Sequence, residues 1–111
     1  MTRITTHVLD TSAGRPAAGI TVRLERLDGA RVDPVASAVT DSDGRVRDWL
    51  PEGVRPGRYR LLFETGAWFQ RAGQKTIYPE IVVPFEVEGA MTHCHLPLLL
   101  APYGYSTYRG S

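Results

Sequence analysis

Three consecutive residues near the C-terminus, His93, Cys94 and His95, carry side chains that bind metal ions or act as nucleophiles. Successive residues of a β-strand point to opposite faces of a sheet, so on a strand the two histidines share a face and Cys94 points away. This alternation argues against a metal site that uses all three side chains. We expect Cys94 to be a half-buried structural residue, with a metal ligand or a reactive thiol as the alternatives.

Two other residues, His7 and Arg45, are of types that serve in catalysis. Imidazole accepts and donates protons near pH 7, and the planar guanidinium of arginine binds adjacent oxygen and nitrogen acceptors. Position alone favours ordinary roles for these side chains. His7 would be a surface or hydrogen-bonded histidine and His95 a structural one. Arg45 would be a solvated residue of the turn that Asp43-Gly44 begins.

Short strands, separated by frequent glycine and proline turns, would position these residues. His7 lies in the segment Ile4–Leu9, where alternation places it on the same face as Thr5. Further strands are expected at Ile20–Leu27, Arg58–Glu64, Ile81–Val87 and Thr92–Leu100. Pro84 places part of the Ile81–Val87 segment at a sheet edge or in a bulge, because proline cannot donate to a strand ladder.

One segment, Ala67–Ala72, is expected to be a short helix. It lacks β-branched residues and is followed by Gly73, a candidate C-cap. Many short strands with regular turns and a single helix predict an all-β fold, specifically a Greek-key β-sandwich. At 111 residues the chain is expected to form one domain, residues 1–111.

Composition and charge argue against several classes of protein. The 13 lysine and arginine residues are interspersed with 12 aspartate and glutamate residues, so no basic stripe is available for nucleic acid or an anionic membrane. Cys94 is the only cysteine, which excludes an intramolecular disulfide. No apolar run approaches the ~18 residues of a membrane span. The first residues lack the apolar centre of a secretory signal, so we expect a soluble cytoplasmic protein.

Five segments of the sequence contain motifs that are more specific than the alternation of a strand. Near the start are Thr6–Thr11, which reads Thr-His-Val-Leu-Asp-Thr, and Gly14–Ala17. Thr40–Arg45 contains an Asp-Gly-Arg turn, and Tyr78–Ile81 reads Tyr-Pro-Glu-Ile. The block His93–Ser111 contains Pro-Tyr-Gly-Tyr-Ser-Thr and closes on Tyr-Arg-Gly-Ser. Taken together, and almost end to end, these segments resemble the transthyretin-like family and specifically its hydrolase branch.

The resemblance implies a fold and a reaction. The fold is a transthyretin-like β-sandwich with two four-stranded sheets and one short helix, assembled as a homotetramer with active sites in the channel where two dimers meet. The reaction is hydrolysis of 5-hydroxyisourate, the product of urate oxidase, to 2-oxo-4-hydroxy-4-carboxy-5-ureidoimidazoline, with no metal or organic cofactor. Cys94 stands where the family's enzymes commonly have tyrosine, a departure that affects packing because the residue points away from His95.

The resemblance also implies roles for individual residues. Hydrolysis of a cyclic amide requires a deprotonated water, a stabilised oxyanion and a proton for the leaving nitrogen. His7 and His95 are the implied catalytic histidines, and which of them is the general base stays open. Arg45 is the implied catalytic and substrate-binding arginine, with Arg47 as its nearest competitor. His93 either supports its neighbour or lies at the surface.

The C-terminal tetrapeptide would by default be a frayed tail. The resemblance implies instead that it folds into the site, since a closing Tyr-Arg-Gly-Ser separates the family's enzymes from its hormone carriers. Tyr108 is then a substrate-binding residue that lines the pocket, and Arg109 binds substrate or helps to hold the site. Ser111 is an implied catalytic residue through its hydroxyl or a terminal carboxylate.

Two other functions remain open at this stage. A non-catalytic carrier of a small planar ligand would keep the sandwich and the tetramer but would not need two histidines, an arginine and the tetrapeptide together. A structural interaction domain, as many β-sandwiches are, would tolerate any tail.

Overall fold

Nine strands and one helix make up the fold in the computed structural model, which describes residues 1–111. In chain order they are β1 (Arg3–Asp10), β2 (Arg15–Pro16), β3 (Thr21–Asp28), β4 (Arg31–Val39), β5 (Arg45–Val46), β6 (Gly57–Phe63), α1 (Thr65–Arg71), β7 (Ile81–Val87), β8 (His93–Ala101) and β9 (Gly104–Thr107).

The strands form two sheets that pack face to face. One sheet, here called the back sheet, has the antiparallel order β4-β3-β6-β7. In the other, the site sheet, β1 pairs in parallel with β8, and β8 pairs antiparallel with β9. The free edge of β1 is shared by β5, opposite residues 6 and 7, and β2, opposite residues 9 and 10. The site sheet is therefore four strands wide, as expected, but contains five strands.

One hydrophobic core of 19 buried residues fills the space between the sheets. The alternation expected from the sequence is confirmed, because Val22, Leu24 and Leu61 are fully buried on the inner face of the back sheet. Ile4 and Val8 are buried on the inner face of β1. Burying side chains of this size stabilises the fold by about 1.5–3 kcal/mol each. A one-residue slip of β1 would replace Ile4 and Val8 with Arg3 and His7 or with Thr5 and Leu9, so the core fixes which face carries His7.

The structure contains the expected helix and places Pro84 in an edge strand, although the bounds of the helix differ slightly from those expected. Helix α1 begins two residues before the expected Ala67 and ends one residue before the expected Ala72. Gly73 follows the C-cap residue with φ of +71°, the left-handed conformation in which glycine commonly ends a helix. Pro84 lies in β7, an edge strand of the back sheet, as predicted. No helix of the structure has the length and apolar character needed to cross a membrane.

Candidate active site

The two ends of the sequence meet on the outer face of the site sheet. The parallel register of β1 and β8 sets Thr5 opposite His95 and His7 opposite Pro97. The outer residues of β1 are partly exposed while their neighbours are buried. Cys94 is only 3% exposed on the core side, so it points away from the two flanking histidines as predicted. No three His, Cys, Asp or Glu side chains form a group that could hold a metal ion.

Thr5 links the two histidines of β8. Its Oγ1 lies 2.7 Å from His95 Nδ1 and 2.8 Å from His93 Nε2, both at hydrogen-bond distance. The two imidazole rings are 6.2 Å apart between centroids. His93 is exposed and His95 is partly buried, so this hydrogen-bonded chain runs from the protein surface into the site.

The turn Asp41–Arg45 positions Arg45 against β1. The Asp41 carboxylate accepts hydrogen bonds from the backbone N–H groups of Asp43, at 2.8 Å, and Arg45, at 2.9 Å. These bonds, the one from Arg45 above all, hold the pKa of the Asp41 carboxyl below its usual range, since they favour the ionised form. Arg45 then enters β5, where it pairs with His7.

Gly44 allows this turn to approach β1 closely. Its φ is +76°, and a Cβ atom at this position would collide with the carbonyl oxygen of Val8. The Gly44 carbonyl in turn accepts a hydrogen bond of 2.8 Å from the Val8 N–H. The glycine of the Asp-Gly-Arg turn is therefore required both for its conformation and for its proximity to the neighbouring strand.

Arg45 and Arg47 differ in their partners. The Arg47 guanidinium lies 3.9 Å from the carboxylate of Asp43. The Arg45 guanidinium forms no salt bridge or hydrogen bond with another group of the chain, and the side chain is partly buried. An arginine held in place by its backbone, with its five donors unused, is suited to bind a ligand with several acceptors.

The C-terminal segment continues the ladder of β9 along β8. Leu98 lies opposite Thr107, and further along the same register His95 lies opposite Gly110. The Gly110 N–H donates a 2.7 Å hydrogen bond to the His95 carbonyl. The segment is thus not a frayed tail, and the ladder brings Ser111 to the histidines.

The polar groups on this face line a cleft of about 210 Å³. None of the lining side chains is apolar; they are Thr5, Thr6, Arg45, Arg47, His93, His95 and Ser111. The volume is below the roughly 300–1,000 Å³ of typical drug-sized sites, which suits a small ligand. Four larger grooves, of about 320 to 660 Å³, contain no histidine and lie elsewhere on the surface.

The cleft keeps His95 in its neutral form. Burial is the largest effect that lowers the pKa of His95, followed by the positive charge of Arg45 and then by Coulombic repulsion from His93 and His7, which acts when those rings are protonated. A hydrogen bond to the backbone of Thr5 acts in the opposite direction without cancelling them. A histidine that is neutral at pH 7 can accept a proton, as a general base must.

Burial lowers the pKa of His95 but raises that of Cys94, because in both residues it disfavours the charged form. It raises the pKa of the Cys94 thiol, an effect that the charge of Arg109 only partly offsets. A buried thiol with a raised pKa is a poor nucleophile, which supports the structural interpretation of this residue.

The residues expected at the site from the sequence occupy three kinds of position. Arg45, His95 and Ser111 line the cleft. His7 lies beside it, paired with Arg45 and close enough for its charge to act on His95. Tyr108 is 56% exposed, and neither it nor Arg109 lines the cleft; the charge of Arg109 acts on Cys94.

Two lining residues, Thr5 and Thr6, had no expected role. Thr6 is buried, and its hydroxyl donates a 2.6 Å hydrogen bond to the Leu96 carbonyl, which helps to join β1 to β8. The sequence did place Thr5 on the same strand face as His7. Its position on that face identifies Thr5 as a partner of His93 and His95 only when the pairing of β1 with β8 is also known.

Comparison with known proteins places this architecture in a family. Residues 4–110 match the HIUase/Transthyretin family. The chain is 49% identical to 5-hydroxyisourate hydrolase 2 of Rhizobium meliloti, over 98% of this chain and 96% of the relative. It is 43% identical to the solved Klebsiella pneumoniae 5-hydroxyisourate hydrolase, with a TM-score of 0.89 over 98% and 99% of the two chains. Sea bream transthyretin in complex with thyroxine matches with a TM-score of 0.91 at 25% identity, over 97% and 94%. From its sequence and its fold, this chain belongs to the HIUase/transthyretin family.

Proposed function

We propose that this protein hydrolyses 5-hydroxyisourate to 2-oxo-4-hydroxy-4-carboxy-5-ureidoimidazoline. The observation that carries the proposal is the cleft itself, in which a neutral histidine, His95, and an unpaired guanidinium, Arg45, line one small polar cavity. Full-length relatives at 49% and 43% identity bear the name of this hydrolase, which supports the choice of substrate. The protein is on this basis an enzyme of urate degradation.

In the proposed mechanism, His95 acts as the general base. Its imidazole takes a proton from a water molecule, whose oxygen attacks a carbonyl carbon of the six-membered ring. The Arg45 guanidinium stabilises the negative charge that develops on the carbonyl oxygen. The carbon–nitrogen bond then breaks, and the leaving nitrogen takes from His95 the proton that this ring removed from the water, which returns His95 to its neutral form. The ring-opened carboxylic acid then loses its proton to solvent and becomes a carboxylate.

Arg45 also contributes to binding before the reaction. A urate-type ring presents adjacent oxygen and nitrogen acceptors, which fit the planar fork of a guanidinium. The lining of the cleft includes two arginines and no aspartate or glutamate, so it favours an electron-rich or anionic ligand. We place Tyr108 and Arg109 in a supporting role at the substrate site, since both follow β9 directly but lie outside the cleft of a single chain.

The carrier function is less well supported. A non-catalytic carrier of a small planar ligand would depend on apolar contacts, as most ligand pockets do. The cleft offers no apolar lining residue. The identity to sea bream transthyretin, 25%, is also lower than the identity to the relatives named as hydrolases.

We further propose that the enzyme is a homotetramer, as the family resemblance implies. Three tyrosines of the C-terminal region, Tyr103, Tyr105 and Tyr108, are 43–62% exposed. Exposed aromatic side chains in one region are typical of protein interfaces. Light scattering should give four times the chain mass of 12.3 kDa at micromolar concentration, and the mass of a single chain would contradict the assembly. The cytoplasmic location stays a prediction.

A spectroscopic assay tests the activity. Urate and urate oxidase generate 5-hydroxyisourate in the cuvette, and its ultraviolet absorbance decays slowly without a catalyst. We expect the protein to accelerate this decay in proportion to its concentration, and the variant His95→Gln to be much slower. A decay rate unaffected by the wild-type protein would contradict the proposed function.

A further inference from the structure

The hydroxyl of Thr5 is placed between two imidazoles but has only one proton to give. Its Oγ1 is within hydrogen-bond distance of His95 Nδ1 and His93 Nε2, and it forms no third hydrogen bond in the chain. A hydroxyl donates once and accepts twice. Both contacts can be hydrogen bonds only if at least one of the two rings donates to Thr5. The arrangement therefore constrains which ring nitrogens carry protons.

The charges around His95 decide which of the two rings donates its hydrogen bond to the Thr5 hydroxyl. Because Nδ1 is engaged by Thr5, Nε2 is the ring nitrogen left to face the cleft, and it has no hydrogen-bond partner in the chain. Arg45 and Arg47 also line the cleft, and the positive charge of Arg45 acts on the His95 ring. A cationic environment favours a lone pair over an N–H dipole at the nitrogen that faces it. In a neutral ring this places the single proton on Nδ1.

His93 completes the arrangement as an acceptor. With His95 Nδ1–H donating to Thr5, the Thr5 hydroxyl proton is free to be donated to His93 Nε2. His93 is exposed, so its remaining ring nitrogen can be satisfied by water. The resulting series of hydrogen bonds runs from His95 Nδ1–H to Thr5 Oγ1 and from Thr5 Oγ1–H to His93 Nε2. Each of these three groups then has a partner.

We propose that Thr5 and His93 are positioning residues that hold His95 in the tautomer with Nδ1 protonated and Nε2 free to act as the base. The tautomer is a property of the unliganded chain, and only its catalytic consequence rests on the proposed function. When Nε2 accepts a proton from water, the ring becomes cationic and its Nδ1–H bond to Thr5 strengthens. The same oxygen thus orients the ring before the step and stabilises its charge afterwards.

Nitrogen NMR tests the tautomer without any substrate. In ¹⁵N-labelled protein, at a pH where His95 is neutral, we expect Nδ1 to give the signal of a protonated ring nitrogen and Nε2 that of an unprotonated one. Thr5→Ser should preserve this pattern, and Thr5→Val should lose it or produce a mixture. Thr11→Val is the matched control. It also removes a threonine hydroxyl, but that hydroxyl donates to the Leu100 carbonyl and does not contact a histidine. A wild-type His95 protonated at Nε2 would overturn the proposal.

Kinetics test the consequence for catalysis. Thr5→Val should lower kcat about ten- to hundredfold, below the full 10²–10⁴-fold of general acid–base catalysis. KM should change little, and Thr5→Ser should restore most of the rate. His93→Phe, at an exposed position, should give a smaller loss and serves as the second variant if Thr5→Val fails to fold. If wild-type protein shows the tautomer but no hydrolysis, the proposed function fails; if Thr5→Val shows wild-type kcat, the positioning role fails.

Discussion

Gly110 and His95 are joined both through the backbone and through close packing. The Gly110 N–H donates to the His95 carbonyl at 2.7 Å, and a Cβ atom built on Gly110 would lie 2.7 Å from His95 Cδ2. It would also lie 3.3 Å from Cγ of Pro97. The His95 imidazole therefore packs against Gly110 so closely that any larger residue there would displace the ring, and the C-terminal segment forms one wall of the histidine's environment.

Substitution of this glycine should damage activity more than folding. In Gly110→Ala the added methyl group should displace the His95 ring, and we expect kcat/KM to fall at least tenfold. The φ of Gly110 is not in the left-handed region, so the effect should be steric. The matched control is Gly104→Ala in β9, where a Cβ meets nothing within 4 Å and activity should be retained. Equal activity in both variants would contradict the close packing.

Deletion of residues 108–111 should abolish hydrolysis while the sandwich stays folded. The core strands end with β9 at Thr107, and Tyr108 and Ser111 are exposed, so little apolar burial is lost. The deletion removes the Gly110 bond to His95 and one lining residue of the cleft. Thermal unfolding and the 5-hydroxyisourate assay should be measured on the same samples. A folded, fully active truncation would remove the tetrapeptide from the site.

The two histidines should each be needed for turnover. His95→Ala and His7→Ala should lower kcat/KM at least tens-fold with little change in thermal stability, in line with the 10²–10⁴-fold contribution of general acid–base catalysis. If His95 is the base, its loss should appear mainly in kcat. Near-normal turnover of either variant would exclude that histidine from the mechanism.

Arg45 should contribute to both binding and rate. Arg45→Ala should raise KM and lower kcat, for a combined loss of at least tens-fold, because in the proposed mechanism the guanidinium binds the substrate as well as its transition state. Arg45→Lys should recover only part of the activity, since an ammonium lacks the planar fork. Arg58→Ala is the control; its ion pair with Glu86 lies on the back sheet and is exposed. Wild-type KM and kcat in Arg45→Ala would leave the guanidinium without a role.

The lowered pKa of His95 has two consequences with defined signs. Activity that depends on the neutral ring should persist as the pH falls below about 6.5, the ordinary histidine value, and decline only at lower pH. Because the unfolded chain binds this proton more readily, the free energy of unfolding should also decrease as the pH falls from about 6.5 through the folded pKa. Arg45→Ala removes a guanidinium whose charge lowers the pKa of His95 and should raise that pKa in an NMR titration, and His7→Gln, which removes a second group that acts in the same direction, should do so to a smaller extent. An unchanged titration in both would contradict the electrostatic origin.

Local rules predicted five of the nine strands, β1, β3, β6, β7 and β8, and the faces of their residues, but missed β2, β4, β5 and β9. The orientation of Cys94 away from His93 and His95 follows from strand alternation alone, and the structure confirms it. The end of α1 near Gly73 follows from helix-capping preferences. Both features depend on interactions within a few residues, which is why single-sequence reasoning reached them.

The pairing of distant segments was beyond such rules. Nothing local indicates that β1 runs parallel to β8, or that β2 and β5 share one edge of β1. The role of Thr5 depends on that pairing, because its partners lie 88 and 90 residues away. The family resemblance supplied His7, Arg45 and His95 as expected site residues, but it gave no reason to examine the threonine between the histidines.

The parallel pairing of β1 with β8 has a consequence during synthesis. The ribosome makes β1 first. Its parallel partner β8 follows about 90 residues later, a delay of roughly 5 to 20 s at ordinary elongation rates. Throughout that interval β1 lacks β8, the strand that completes its ladder. Closing so long a loop is also slow, since its entropy cost precedes the contacts that reward it. We therefore expect the nascent chain to depend on chaperones or on rapid late collapse, and the cleft between β1, β5 and β8 to be the last part of the molecule to form.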